Sequence, residues 1–153
     1  MHVHSMQAQI MRLHLSVARA TLAGMTTTSE NALVGEWRTL LDRHAAVSCA
    51  LEKALNDQHG IGLSEFEVLD RLVDANCGSY RMHELAKDIH LSQSALSRAV
   101  ARLEKDGFVT RGACEDDRRS VSVCLTGKGA VTHTEALPTH REVLRATWDA
   151  PAR

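Results

Sequence analysis

The sequence predicts a mainly helical α+β protein with one β-hairpin. Apolar residues recur at intervals of three and four through most of the chain, which is typical of amphipathic helices. Alternation of apolar and polar residues is confined to two short segments late in the chain, which indicates a single hairpin. The 153 residues, 44% of them hydrophobic, suffice for one domain of ordinary size.

The composition excludes several classes of protein. No apolar run approaches the roughly 20 residues that cross a bilayer, so we expect no membrane contact and a cytoplasmic location. The 18 basic and 19 acidic residues give a net charge of −1, so any affinity for nucleic acid must come from local placement of Arg and Lys. The four cysteines are spaced too irregularly for a zinc site or a disulfide framework, and we expect reduced thiols.

Residues 1–29 contain no acidic residue and form a separate N-terminal extension. A secretory signal is disfavoured because Arg19 interrupts its apolar stretch. Two interpretations remain open: an amphipathic helix whose apolar stripe runs from Met6 to Ala20, or translation that starts at Met25.

A long helix is predicted over 30–57. Thr27 and Glu30 have the spacing of a capping box, in which two side chains satisfy free N–H groups at a helix start. Gly60 is a typical residue to end such a helix. The apolar positions between them are Leu33, Trp37, Leu40, Leu41, Val47, Leu51 and Leu55.

Two shorter helices follow. Ser64 and Glu67 form a second capping box, ahead of apolar residues that predict a helix over about 64–75. The segment Asn76–Ser79 has the composition of a loop. Apolar spacing within Met82–Ile89 predicts a short third helix.

The fourth helix has a characteristic residue at each end. Ser92 is a good N-cap, and Gly107 suits the left-handed position that follows a helix. Leu96, Val100 and Leu103 have the spacing of a buried stripe. The outward side chains are short and polar at the start and basic towards the end: Gln93, Ser94, Ser97, Arg98, Ala101, Arg102 and Lys105.

A hairpin and a last helix complete the predicted fold. Residues 108–111 and 121–125 alternate as strands do, and the charged segment 115–120 between them predicts an exposed turn. Thr126 is placed to cap a final helix that runs to near the C-terminus, with Pro138 bending it.

Two short helices joined by a tight turn, the second with a polar face at its start, are the parts of a helix-turn-helix DNA-binding unit. Short polar side chains can donate to base edges in the major groove, Arg98 can reach guanine or a phosphate, and the later basic residues suit phosphates. The alternative is an ordinary solvated helix. The predicted contact residues are Ser92, Gln93, Ser94, Ser97, Arg98, Arg102 and Lys105.

The charged turn of the hairpin favours a second contact with DNA. A hydrogen bond from Arg119 to Asp117 would hold one guanidinium for a narrow minor groove and leave Arg118 for phosphate. The alternative is a solvated turn without a ligand. Residues 81–119 hold eight basic and seven acidic residues, so affinity must rest on a few aimed side chains.

Four segments match one known family in order and spacing, across about residues 30–150. They are LSQSALSR at 91–98, RLEKDGFV at 102–109, DRR at 117–119 and LTGKG at 125–129. On these segments the chain resembles the MarR family of bacterial winged-helix transcription regulators.

The resemblance implies both architecture and function. It implies a winged helix-turn-helix region over 61–126, with the fourth helix in the major groove and the hairpin, as the wing, in the minor groove. Long helices over 30–57 and 127–153 would form a homodimer. The protein would repress nearby genes from a pseudo-palindromic operator of double-stranded DNA, until a phenolic ligand, thiol oxidation or a metal releases it.

The sequence departs from the family pattern at two places. Only residues 149–153 follow Trp148, where the family has a further dimerisation helix, so the C-terminal dimerisation helix is truncated. We hypothesise that the stripe in the N-terminal extension replaces part of that interface; an unchanged dimer dissociation constant after deletion of residues 1–24 would contradict this. Gly127 stands where a helix-favouring residue is common, which weakens the helix start slightly.

The sequence is less specific about the signal. An aromatic acid could bind between the dimerisation helices and the DNA-binding region, or a cysteine could sense oxidant; the alternatives are that Trp37 belongs to the core and that each cysteine is buried and structural. The effector candidates are Trp37, His44, Cys49, Arg71, Tyr80 and Cys114.

Disulfide and metal chemistry are both disfavoured. With a turn centred on Asp117 and Arg118, Cys114 falls opposite Val121 and Cys124 opposite Arg111, which puts the two thiols on opposite faces of the hairpin. His133 and His140 share a helix face but lie two turns apart, too far for one ion without a third ligand between them. We therefore expect no metal site and no cofactor.

The chain carries none of the common catalytic motifs, namely the nucleophile elbow, the phosphate-binding loop, the dinucleotide fingerprint or the zinc-protease helix. We therefore expect no enzymatic activity. The competing function is a winged-helix module that binds protein and not DNA, which the near-neutral charge would suit. A steep loss of affinity with salt would distinguish DNA binding from it.

Overall fold

The computed structural model describes the backbone of residues 3–75, 78–114 and 117–148, and their side chains except at 3–28 and 113–120. The fold is mainly helical with one small antiparallel sheet, which confirms the predicted class. None of the helices in the described part of the chain is both long and apolar enough to cross a membrane. The elements are α1 (Val3–His59), α2 (Leu63–Asp74), β1 (Ser79–Arg81), α3 (Met82–Asp88), α4 (Gln93–Lys105), β2 (Val109–Cys114), β3 (Asp117–Leu125) and α5 (Gly127–Trp148).

Helix α1 extends far upstream of its predicted start at residue 30. It passes Thr27 and Glu30 without a break, so the predicted boundary between an extension and a helix over 30–57 is wrong. A capping box forms only where the preceding backbone leaves the helix, because N–H groups within a helix already bond carbonyls four residues earlier. The stripe from Met6 to Ala20 lies outside the described side chains.

The chain divides into two compact units between His44 and Ala45, and α1 contributes to both. In the first unit Trp37 is 57% exposed, so the interpretation of this residue as core is wrong. In the second unit α1 buries Val47, Leu51 and Leu55. The exposed apolar stripe of the first unit consists of Leu33, Val34, Trp37, Leu40 and Leu41.

Carboxylates from two helices cap the start of α2. Glu65 Oε2 accepts the N–H of Gly62 at 2.8 Å, and Glu52 Oε2 accepts the N–H of Leu63 at 2.6 Å. Gly62 is the N-cap, so the helix starts one residue earlier than predicted and the predicted capping box is wrong. The Glu52 carboxylate thereby ties the end of α1 to α2, while Glu65 caps its own helix.

The sheet has three antiparallel strands in the order β1-β3-β2. Strand β1 was not predicted, since Ser79 was expected to end a loop. Its residues pair with β3 from Ser79 opposite Cys124 to Arg81 opposite Ser122. The sheet thereby joins the start of α3 to the hairpin.

The register of the hairpin differs by one residue from the prediction. Thr110, and not Arg111, pairs with Cys124, and Cys114 pairs with Asp117 beside an irregularity. The predicted register, which put the two thiols on opposite faces, is therefore wrong. Distance separates them instead, because Cys114 lies four residues along β2 from Thr110, the partner of Cys124, which is about 13 Å along the strand and beyond disulfide reach.

The core of the second unit lies between α2, α4 and the sheet. The buried stripe predicted for α4 is confirmed, since Leu96, Val100 and Leu103 are at most 1% exposed. Helix α5 buries smaller or polar residues, namely Gly129, His133 and Ala136, while Val131 and Trp148 are more than half exposed. The fully buried side chains from the other elements include Leu55, Phe66, Leu69, Leu72, Leu85, Val109 and Val123.

Candidate nucleic-acid interface

Helix α4 has fixed ends and a fixed rotation. Ser92 Oγ accepts the N–H of Ala95 at 3.2 Å, which confirms the predicted N-cap. Gly107 has φ +77°, the left-handed conformation expected after the helix. Because the apolar stripe is buried, the opposite face of α4 must point outward.

All seven residues predicted to contact DNA from this helix and its cap are exposed. They are Ser92, Gln93, Ser94, Ser97, Arg98, Arg102 and Lys105. The hydroxyls of Ser92 and Ser94 lie 3.2 Å apart and can hydrogen-bond to each other. The start of α4 is thus a surface of short polar side chains, which leaves room for a close approach to a groove.

Arg102 forms an ion pair within the protein. Its Nε donates to Glu65 Oε1, on a side chain that is only 9% exposed and that also caps α2. The pair ties α4 to the start of α2. A phosphate contact from Arg102 would have to use its remaining N–H groups, so its first role is to hold α4 in place.

Arg111, on β2, reaches across to α4. Its Nη2 donates to the carbonyl oxygen of Ser97 at 3.2 Å, and its Nε lies 3.4 Å from Glu104 Oε2. This contact was not predicted, because the sequence pattern around Arg111 indicates only a strand. The sequence does contain a signal for this contact. A basic residue lies on the strand that directly follows a helix with an acidic residue on its outward face.

Thr126 and Lys128 fasten the end of α4 to α5. Thr126 Oγ1 lies 2.9 Å from the carbonyl oxygen of Phe108, to which it can donate, and accepts the N–H of Gly129 at 3.1 Å, which confirms that it caps α5. Lys128 Nζ donates to the carbonyl oxygen of Asp106 at 2.7 Å and lies 4.8 Å from the centre of the Phe108 ring. The end of α4 is therefore held by side chains as well as by its own glycine.

The side chains of the predicted wing site, Asp117, Arg118 and Arg119, lie outside the described residues. Their backbone belongs to β3, which begins at Asp117, so the prediction that this triplet forms the turn is wrong. The hydrogen bond between Asp117 and Arg119 stays a prediction.

Two of the effector candidates, Arg71 and Tyr80, lie near each other on the second unit. The Tyr80 hydroxyl donates to the Asp88 carboxylate, which raises the pKa of Tyr80, while the charge of Arg71 acts in the opposite direction. Tyr80 borders an open depression of about 460 Å³.

The other effector candidates are separate from this pair. Cys49 is exposed on α1, the Cys114 side chain lies outside the described residues, and Trp37 and His44 are exposed in the first unit. A common pocket for the candidates therefore stays a prediction.

The histidines of α5 pair with acids of α2. His133 Nε2 lies 2.8 Å from Asp70 Oδ1, and His140 Nε2 lies 3.9 Å from Glu67 Oε1. Both imidazole rings stack on Phe66, with centroids 5.4 and 4.4 Å away. Among the residues that the structure describes, no group of three or more His, Cys, Asp or Glu side chains could hold a metal ion.

These elements define a class of protein. Helices α3 and α4, with the tight turn between them, form a helix-turn-helix, and the β2–β3 hairpin beside α4 forms the wing. The second unit therefore contains a winged helix-turn-helix region.

Similar proteins place the chain in one family. The family model for the MarR family matches residues 61–121. AbsC of Streptomyces coelicolor, a MarR family transcriptional regulator, is 32% identical with a TM-score of 0.68 over 74% of this chain and 76% of that one. Sco3205 of the same organism, a MarR family transcriptional regulator solved in complex with DNA, is 32% identical with a TM-score of 0.70 over 78% and 73%. The chain belongs to the MarR family.

A curated relative extends this comparison. The HTH-type transcriptional repressor YetL of Bacillus subtilis is 33% identical over 92 residues, which cover 59% of this chain and 55% of YetL. The chain thus spans about half the length of the curated relatives that it matches.

Proposed function

We propose that this protein is a sequence-specific DNA-binding transcriptional repressor that binds a pseudo-palindromic operator as a homodimer. The observation that carries the proposal is the start of α4, an exposed surface of short polar side chains on a helix that is capped, fully buried along its inner stripe and flanked by a hairpin. The family supports it, since a relative that is 32% identical was solved in complex with DNA.

Helix α4 would read bases in the major groove. Gln93 and Ser97 offer amide and hydroxyl groups to base edges, and Arg98 is long enough for a guanine edge or a phosphate. Lys105, near the other end of the helix, suits a phosphate. The wing would add Arg118 and Arg119 at the adjacent minor groove.

The exposed apolar stripe of the first unit supports the dimer. Five large apolar side chains from Leu33 to Leu41 share this stripe, and contiguous apolar patches on a protomer mark interaction surfaces. A two-fold dimer would place two α4 helices on half-sites about one helical turn, or ~34 Å, apart.

We propose that a small-molecule, oxidant or metal signal releases the protein from DNA. Arg71 and Tyr80 favour a small aromatic acid such as a phenolic acid, since the phenol borders an open depression and the charge of Arg71 acts on that phenol. Exposed Cys49 is the described thiol that an oxidant would reach. A cytoplasmic location and the absence of catalysis belong to the same proposal, because the relatives are named as regulators.

Selection from a pool of random duplex DNA tests the DNA-binding function. We expect one pseudo-palindromic sequence to be enriched and its affinity to fall steeply as salt rises. Arg98→Ala should cost about 1–3 kcal/mol of binding free energy and relax discrimination at one base position. Lys53→Ala removes the same charge from α1 and is the matched control. A pool without enrichment would overturn the proposal and favour a protein-binding winged helix.

A further inference from the structure

Arg111 joins the two elements that the proposed function assigns to different grooves. Its guanidinium contacts α4 at the Ser97 carbonyl oxygen, 3.2 Å away, and at the Glu104 carboxylate, 3.4 Å away. Ser97 and Glu104 are two helical turns apart on one face. The carbonyl points towards the end of the helix and the glutamate side chain leans towards its start, so one planar group can meet both.

The remaining connection between α4 and the hairpin is short. Strand β2 starts two residues after Gly107. This glycine adopts the left-handed conformation, and because it has no Cβ its backbone is less restricted than that of other residues. On the inner side of the sheet, Val109 and Val123 are buried in the core and fix the base of the hairpin. Arg111 lies on the same face of β2, directly opposite Val123, with a third of its side chain exposed, where the strand continues towards the wing tip.

We propose that Arg111 is a positioning residue that holds the wing at a fixed angle to α4, so that helix and wing enter adjacent grooves as one rigid unit. This inference rests on the proposed DNA-binding function. Arginine suits the task because its planar group donates in several fixed directions, whereas a lysine ammonium on a flexible stem cannot bridge both acceptors.

The competing role for Arg111 is direct binding of a DNA phosphate. Substitution of Glu104 distinguishes this role from the positioning role. An acidic side chain near DNA repels phosphates, so its removal alone should strengthen binding. If Glu104 acts by holding Arg111, its removal should instead weaken binding, although the protein becomes more positive. The two roles therefore predict opposite signs for the same substitution.

The test compares Glu104→Ala, Glu104→Gln and Arg111→Lys with the full-length wild-type protein. Glu135→Ala, which removes an exposed acid from α5, is the matched charge control. The probes are the duplex enriched in the selection and the same duplex with its minor-groove contact positions exchanged between A·T and G·C. Thermal unfolding followed by circular dichroism confirms that each variant is folded.

We expect Glu104→Ala and Arg111→Lys each to weaken binding about fivefold, a typical size for coupled contacts. Both should lose discrimination at the wing positions while keeping it at the bases read by α4. Glu104→Gln keeps the shape of the side chain, so its affinity for DNA should fall between those of wild type and Glu104→Ala. It replaces Glu104→Ala in the test if the alanine variant does not fold.

Two results would overturn the inference while leaving the proposed function intact. One is wild-type or tighter binding by Glu104→Ala together with wild-type binding by Arg111→Lys, whose retained charge can still meet a phosphate. The other is unchanged discrimination at the wing positions in all three variants. A selection without an enriched duplex overturns the proposed function first, and the inference with it.

Discussion

At the residue scale, Gly129 permits the close approach of α5 to the end of α4. A Cβ at this position would lie 2.1 Å from the carbonyl oxygen of Phe108 and 2.9 Å from Leu125 Cδ1. We expect Gly129→Ala to lower the free energy of unfolding by about 1–3 kcal/mol, the usual cost of overpacking. Gly127→Ala is the control, since its Cβ would meet no atom within 4 Å and alanine favours a helix. Urea unfolding that gives both variants equal stability would contradict the prediction.

The role of a single residue could be predicted from the sequence where its interaction partner lies only a few positions away. The caps at Ser92, Gly107 and Thr126 satisfy backbone groups within a few positions, so spacing alone identifies them. The ion pairs of Arg102 and Arg111 could not be predicted in the same way. The partner of Arg102 lies 37 positions away, and a mixed-charge sequence does not say which opposite charges meet.

At the element scale, the packing of α5 on α2 should make stability depend on pH. Burial lowers the pKa of His140, Arg141 and His133 act in the same direction, and Asp70 opposes them. The unfolded chain therefore binds a proton more readily, and His140 destabilises the fold as pH falls below the unfolded value of 6.5. Neutral His140 carries no such cost, so the fold keeps its full stability at pH values above 6.5. Urea unfolding of His140→Gln should show a shallower loss of stability than wild type as pH falls below 6.5.

The partner of His140 provides a control of opposite sign. Burial, with the charge of Asp70, raises the pKa of Glu67 above 4.5 despite the opposing charge of Arg71. Its favourable contribution is present below 4.5 and is lost as pH rises through the folded value. Glu67→Gln should remove that component and leave a steeper acid loss than wild type as pH falls from the folded value of Glu67 towards 4.5. Parallel pH profiles for wild type and both variants would contradict the pairing.

Elements with long periodic patterns were predicted, and elements that depend on a partner were not. Helices α2, α3 and α4 lie within a residue or two of their predicted positions. Strand β1 has only three residues, too few to show an alternating pattern in the sequence. It forms because its backbone pairs with that of β3. The buried face of α5 also escaped prediction, because its close contacts select glycine and alanine over large apolar residues.

At the scale of the whole molecule, a net charge of −1 leaves DNA affinity to few side chains. The structure reduces that number further, because Arg102 and Arg111 use N–H groups within the protein. Arg98 and Lys105 are the other exposed cations of α4. The basic residues of the DNA-binding region thus divide between holding α4 in place and meeting DNA, which is why a low overall charge is compatible with the proposed function.

Assembly of two protomers is the remaining whole-molecule property, and Trp37 tests it. This residue lies in the exposed stripe of the first unit and is 57% exposed. In a two-fold interface each substitution acts twice, so a charge at this position should be costly. We expect Trp37→Glu to raise the dimer dissociation constant about tenfold or more, as for an aromatic anchor, measured by analytical ultracentrifugation.

Thr39→Glu is the matched control for Trp37→Glu. It adds the same charge two positions along α1, about 200° around the helix from Trp37 and therefore away from the stripe. We expect Thr39→Glu to dimerise as the wild type does, while Trp37→Glu also loses cooperative binding to the two half-sites of the selected duplex. Equal dissociation constants for the two variants would show that the stripe is not the dimer interface. The interface would then have to be formed by α5 or the N-terminal part of α1.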